Sequence, residues 1–411
     1  MSKREAECYQ AGVDFSFSAR ELAFADEANA WLEANVPRAW RRDHCWSRAD
    51  DPLWLGIARD WQRKLHAGGW AAISWPREHG GRGATVIERW LFEEALDRAG
   101  APRPAAGAYV DLIGSAIRRH GSDAQRERFL TRLLSGEDLW CQGFSEPGAG
   151  SDLGALRTRG ERQGDGFVVN GQKVWTSYAD IADWCFLLCR TEPDAAKHHG
   201  ISLLLVDMRS PGISVRPLAQ ITGDAEFSEV FFEDVRVPRA NLVGQLHDGW
   251  TVANATLFHE RNMLASTTRT QQLFQNLLRL ARSRKRAGRP ATDDPLVRQR
   301  LADLAIRVET MKLEAFRQLT DALRKRPPGI NASVNKLVTC ELNHQLARSA
   351  LEILGDYGWL GKKDARTADG GTWPSDYMFA LGLIIGGGTA QVQKNIIAER
   401  GLGMPREPRP S

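Results

Sequence analysis

Side chains and bare backbone that could do chemistry gather in three stretches of the chain. "CQGFSEPGAGSDLGALRTRG" (141–160) sets Ser145 and Ser151 among glycines in a loop leading out of a β-rich run. Hydroxyls beside unencumbered backbone amides make a concave donor array, suited to a phosphate or a carbonyl-rich ring. Downstream, "NGQKVWTSYAD" puts the indole of Trp175 beside the hydroxyls of Thr176 and Ser177. An indole against a planar ligand, with a hydroxyl at its rim, is what a flavin site would use; a core tryptophan gives the same pattern. In "LIIGGGTAQVQKNIIAE" (383–399) three glycines run into a helical pattern. Such glycines let backbone approach something bulky or bring an anion to a helix N-terminus. None of the three has a side chain that can react, so any reactive group must come from elsewhere.

The elements that would hold these stretches follow from periodicity. From 15 to 138 the pattern is helical: "SARELAFADEANAWLEANVP" opens on a capping candidate, Ser18, and stops at Pro37, and Ser122 with Gln125 has capping-box spacing. Eight of the fourteen tryptophans fall between Trp31 and Trp90, a pattern of packing anchors between helices. From 139 to 250 short β-rich runs alternate with Pro, Gly and Asp, and Asn170-Gly171 reads as a type I′ hairpin turn. From 251 to 405 helices return. Pro295 stands behind two acidic cap candidates, and Leu301, Leu304, Val308, Met311, Ala315 and Leu319 form an apolar stripe. The expected fold is α+β and multidomain: an N-terminal helical domain, a middle sandwich- or barrel-like β domain and a C-terminal four-helix bundle.

Composition narrows the function. With 42% hydrophobic and 26% charged residues, the 411-residue chain has material for a sizeable core. Lys and Arg number 55 against 51 Asp and Glu, a net +4 that argues against a dedicated nucleic-acid binder and suits an anionic substrate. The basic run "RSRKRAGR" (282–289) reads as a solvated loop. Six scattered cysteines make no disulfide framework, which points to a reducing, cytoplasmic setting. Cys185 and Cys189 lack a second Cys/His pair, so no metal site is expected. No apolar stretch is long enough for a membrane span. "GAGSDLG" (148–154) has the wrong spacing for a dinucleotide fingerprint.

"SEPGAGSD", "NGQKVWTS", "FEDVRVPRANLVG" (232–244) and "GGTAQVQ" (387–393) resemble, in order and separation, the successive signatures of the acyl-CoA dehydrogenase family. The resemblance covers about 18–405. It implies FAD, an acyl-CoA substrate, an electron-transfer flavoprotein as acceptor and a homotetramer or dimer. Residue by residue, it implies that Ser145 binds the pyrimidine edge of the flavin, Trp175 lies on the flavin and Ser177 stands near its N5/O4 edge. Ser151 falls on the CoA phosphate and pantetheine path. Thr389 and Gln391 contact the cofactor from the C-terminal bundle, and Arg284 reaches the FAD of a neighbouring subunit. Thr389 also reads as a plain N-cap.

Many members carry their catalytic Glu immediately before the "GT" of the last motif, where this chain has Gly387. Others, resembling isovaleryl-CoA and long-chain dehydrogenases, carry it early in the bundle just before an arginine. Here that segment is "WTVANATLFHERNMLAS", so the resemblance moves the base to Glu260, with Arg261 binding substrate. Its neighbour His259 would point about 100° away on a helix. Glu260 would take the α-proton while flavin N5 takes the β-hydride, giving a trans-2-enoyl-CoA. A desolvated Glu has a raised pKa and is the better base. A flavin ribityl hydroxyl and the Gly387 amide would stabilise the developing oxyanion. The chain departs from the family at Ala287, Glu352 and Asp356, around the cross-subunit FAD contacts. A heteromeric partner completing the site, a non-catalytic subunit and a same-fold flavin oxidase or monooxygenase stand as alternatives. Acyl chain length, branching and steroid character are not encoded in these motifs.

Overall fold

A computed structural model describes residues 16–41, 53–254, 256, 267–286, 288–327, 329–362 and 364–406. Its main helices are α1 (Ala19–Asn35), α2 (Trp54–Ala67), α3 (Val86–Arg98), α4 (Ser115–His120), α5 (Asp123–Ser135), α6 (Thr267–Ser283), α7 (Pro295–Leu323), α8 (Asn331–Leu354), α9 (Thr372–Ile385) and α10 (Ala390–Ile396). The strands of the main sheet are β1 (Trp140–Gly143), β2 (Arg159–Gln163), β3 (Gly166–Ser177), β4 (Trp184–Arg190), β5 (Ile201–Asp207), β6 (Ile213–Leu218) and β7 (Phe227–Pro238), and Lys285–Arg286 pairs with Arg289–Pro290 in a separate two-stranded ribbon. The chain divides into two compact units, one from 35–84 and 100–263, the other from 1–34, 85–99 and 264–411. Among the described residues no helix is long and apolar enough to cross a membrane.

The first unit holds the sheet, ordered β1-β4-β2-β3-β7-β6, with β5 on the other side of β4. β1 runs parallel to β4, and β4 pairs antiparallel with β5 over its whole length. Both faces of β4 are covered. Phe186 and Leu188 join the helical core with Trp75, Ile113, Phe129 and Leu133, while Cys185, Leu187 and Cys189 face Val169, Val230 and Val235. That explains why "WCFLLCR" is continuously apolar rather than alternating. Each such side chain is worth about 1.5–3 kcal/mol of burial. The capping box at α5 forms: the Ser122 hydroxyl accepts from Gln125 N at 3.2 Å and Gln125 Oε1 accepts from Ser122 N at 3.1 Å. Gln125 Nε2 also donates to the Ala240 and Leu242 carbonyls, tying α5 to the segment after β7.

Asn170-Gly171 does not turn the chain. The hairpin reverses at Gly164-Asp165, between β2 and β3, and Asn170-Gly171 lies inside β3 at a register shift against β7. Asn170 reaches across the strands, donating from Nδ2 to Asp234 Oδ1 at 3.0 Å and accepting from Asp234 N at 2.9 Å. Gly171 has φ 151°, and a Cβ there would lie 2.7 Å from Thr158 Cα. The same conformational freedom that makes Asn-Gly a turn here serves a bulge packed closely against Thr158, the residue before β2.

In the second unit α7 starts as expected, with Asp294 accepting from Leu296 N at 2.9 Å and Pro295 in the first turn. Its buried stripe runs Val297, Leu301, Leu304, Val308, Met311; Ala315 and Leu319 are half-buried. This face packs with Phe274 and Leu277 of α6, Leu342 and Leu346 of α8, and Trp373 of α9. α1 and α3 belong to this unit. Arg20 pairs with Glu88 at 3.0 Å, the Thr268 hydroxyl donates to Glu94 at 2.6 Å, and Trp90 packs on Phe316 at 5.3 Å.

Candidate functional site

In the sheet unit, Ser145 begins the loop after β1, and its carbonyl accepts from Val174 N at 2.9 Å, which holds the loop beside β3. Between Lys173 and Thr176 the register against β7 slips, so Val174 and Trp175 form a bulge. Trp175 sits there at φ 59°, with its side chain 59% exposed and its edge on Phe227, 6.1 Å away. A left-handed non-glycine residue that also exposes an indole is costly twice over, a combination that makes Trp175 a candidate functional position. Ser177 ends β3 two residues on, half-buried. Among the described residues no side chain claims the hydroxyl of Ser145 or Ser177. An exposed flat indole flanked by two unclaimed hydroxyls fits a planar heteroaromatic ring with a polar edge.

A buried ion pair fixes this arrangement from below. Lys173, fully buried, donates from Nζ to Glu146 Oε1 at 2.8 Å and to the Phe144 carbonyl at 3.0 Å. Glu146 accepts in addition from Arg157 N at 2.7 Å and Thr158 N at 2.9 Å. Burial pushes the Glu146 carboxyl up, but the charge and hydrogen bond of Lys173, with the Thr158 and Arg157 bonds, outweigh it and hold the group below its usual range. Burial lowers the Lys173 ammonium, with Glu146 opposing. Behind Ser177, the buried Tyr109 donates to its carbonyl at 3.2 Å, and desolvation raises that phenol well above its ordinary value. Tyr178, also left-handed at φ 57°, donates to Glu226 Oε2 at 3.3 Å. Burial first, then the charge of Asp224, raises the Glu226 carboxyl. Ser151 lies exposed beyond the loop, next to Asp152, which pairs with Lys197 at 2.7 Å.

In the helical unit, Thr389 is the N-cap of α10, its hydroxyl accepting from Val392 N at 3.3 Å. Gln391 is exposed one residue into the helix, and Gln393 is fully buried. The glycine loop before Thr389 is held by its carbonyls. Gln393 Nε2 donates to Gly387 O at 2.9 Å, and Lys336 Nζ donates to Ile384 O at 3.0 Å and Gly388 O at 2.7 Å. Arg284 follows α6, with its guanidinium 4.4 Å over the Tyr357 ring. Glu352, a departure from the family pattern, is bonded by Arg300 and by Arg348, the latter at 3.0 Å. Two arginines thus neutralise the carboxylate introduced there.

The structure sets the Ser145 loop beside the end of β3 that carries Trp175 and Ser177, and Thr389 and Gln391 on one helix start in the helical unit. Glu260, Arg261, His259 and Ala287 lie outside the described residues. Sequence reasoning missed Glu146, Lys173, Lys336 and Gln393. The signal was available for the lysines: Lys173 falls on an inward position of β3, and Lys336 lies four residues from both Ala332 and Cys340 on the buried face of α8.

Three family models match consecutive parts of the chain: the acyl-CoA dehydrogenase N-terminal domain over 18–137, its middle domain over 141–235 and its C-terminal domain over 247–402. The acyl-CoA dehydrogenase IpdE1 of Mycobacterium tuberculosis is 41% identical over 354 residues, covering 85% of this chain and 88% of that protein. The ChsE4-ChsE5 complex from Mycobacterium tuberculosis superposes with a TM-score of 0.83 at 31% identity, over 96% of this chain and 100% of that one. The Tcur3481-Tcur3483 steroid ACAD gives a TM-score of 0.83 at 30% identity over the same shares.

Proposed function

Because this chain belongs to the acyl-CoA dehydrogenase family of oxidoreductases, we propose that it desaturates an acyl-CoA thioester between Cα and Cβ, giving a trans-2-enoyl-CoA. The observation that carries the reading is the bulge at Trp175, which spends backbone strain to expose an indole between the hydroxyls of Ser145 and Ser177. Bound FAD supplies the acceptor for the β-hydride at N5. Ser145 and Ser177 hold the polar edge of the ring, and Trp175 covers its face. Lys173 and Glu146 keep the loop and the strand in register beneath them. As the resemblance implies, Thr389 and Gln391 would contact the cofactor, Ser151 and Arg261 would bind substrate, and Glu260 would take the α-proton. Electron-transfer flavoprotein takes the electrons onward, as the family resemblance implies.

The acyl group in this reading is bulky and ring-containing. A Cβ on Gly386 would meet only the Gly382 carbonyl, at 3.4 Å, so the loop surface is open there, and one structural relative is titled a steroid ACAD. The assembly is heteromeric. Arg284 is stacked on Tyr357 of its own unit, and another relative is titled as a complex of two chains, which supports this assembly. The test is an anaerobic visible spectrum of the purified protein before and after short, long, branched and steroid acyl-CoAs. Bleaching of flavin bands by the steroid thioester is expected. Flavin that no acyl-CoA bleaches would overturn the substrate reading, and unchanged turnover in Glu260→Gln would overturn the base.

A further inference from the structure

The glycine loop at 386–388 is shaped by what lies under it. Lys336 is 1% exposed and Gln393 fully buried, and between them they take the carbonyls of Ile384, Gly387 and Gly388. Gly387 has φ 65° and Gly388 φ 91°, so both stand in the left-handed region that favours glycine. A Cβ on Gly388 would lie 2.7 Å from Gln393 Nε2, displacing the amide that holds Gly387. In a planar trans peptide the C=O of one residue and the N–H of the next point in opposite directions. Carbonyls of Gly387 and Gly388 drawn inward therefore turn the N–H groups of Gly388 and Thr389 outward. The Thr389 hydroxyl already accepts from Val392 N, leaving its proton to donate.

We infer that Lys336, with Gln393, is a positioning residue: it pulls the loop carbonyls inward so that the amides of Gly388 and Thr389 donate to an acceptor oxygen of the bound ligand. This rests on the reading that Thr389 faces the cofactor site. The loop carries no reactive side chain because its product is a pair of aimed backbone donors. Charge on Lys336 matters here, since a hydrogen bond from an ammonium holds a carbonyl more strongly than a neutral one.

Hydrogen exchange by mass spectrometry on the full chain separates the two layers of the claim. Without added ligand, Lys336→Met is expected to speed exchange in 384–393 about tenfold or more, with peptides of α7 unchanged. Unchanged exchange in a folded Lys336→Met would overturn the lock. If that variant does not fold, Gln393→Leu replaces it, with a smaller acceleration expected in the same peptide and the same overturning result. With FAD added to the wild-type chain, protection of 384–393 is expected. Protection arriving only with an acyl-CoA would assign the acceptor to the thioester, and protection by FAD alone assigns it to the cofactor. No protection by either would overturn the outward donors while leaving the lock standing. In FAD-loaded Lys336→Met the visible flavin bands should shift and FAD should dissociate about tenfold more readily. A lysine that merely supports the fold would move neither.

Discussion

The sheet unit and the helical unit each bury a lysine under a loop that carries candidate site residues, and they handle its charge differently. Lys173 meets the carboxylate of Glu146, which in turn gathers two backbone amides. Lys336 gives its protons to the carbonyls of Ile384 and Gly388. The first arrangement joins two distant stretches of chain, 144–146 and 173, through a pair whose members depend on one another. The second acts on a single loop and sets the direction of its peptide planes. A buried ion pair thus enforces register, whereas a buried ammonium on carbonyls enforces backbone orientation.

Substitutions test this contrast. Lys173→Met strands the Glu146 carboxylate in the interior and should cost about 3–5 kcal/mol of stability in denaturant unfolding. Adding Glu146→Gln should return part of it, because the stranded charge is gone. Lys336→Met should cost less, about 1.5–3 kcal/mol by the same measurement, since it removes hydrogen bonds from a charged donor to neutral oxygens. Equal losses would erase the distinction. Thr389→Ala removes the cap of α10 at about 1 kcal/mol, read in the same assay. Trp175→Gly relieves the left-handed backbone, partly offset by the entropy of glycine, so stability should rise by a few tenths of a kcal/mol, about the difference of those terms, while FAD affinity falls.

Acid separates the units along another axis. The folded Glu146 carboxyl titrates below its ordinary 4.5, so its contribution is complete above that value and is lost as pH falls through the lower folded value. Glu146→Gln should flatten that part of the stability-versus-pH curve. An unchanged acid limb would mean that other carboxylates, such as Glu314 in the helical unit, which is also held low, dominate it.

Local signals were readable in the sequence. Ser18 and Glu21 bond reciprocally, as do Ser122 and Gln125, because a capping box needs only four residues. The stripe from Val297 to Met311 was legible for the same reason: a helix repeats its own period. Asn170-Gly171 was misread because its chemistry serves turn and bulge alike, and the choice between them is made by β7, which lies far along the chain. At the site, the hydroxyls and the indole were found from motif and resemblance. The lysines beneath them stood at inward positions of their elements, but their partners could not be read, because the groups that accept hydrogen bonds from a buried lysine come from elsewhere in the chain. Phe144 and Glu146 lie on another strand's loop, and Ile384 and Gly388 on another helix's end.

The helical unit is assembled from three separated pieces of chain, and that ordering has a temporal consequence. During synthesis α1 and α3 leave the ribosome long before the helices that cover them: Arg20 and Glu88 can meet early, but Thr268 and Phe316 arrive only with the last third of the chain. The sheet unit completes first, and the apolar faces of α1 and α3 wait in water for the C-terminal helices. Termination close after residue 263 therefore leaves a finished sheet unit tethered to two uncovered helices, a species suited to capture by chaperones and to degradation.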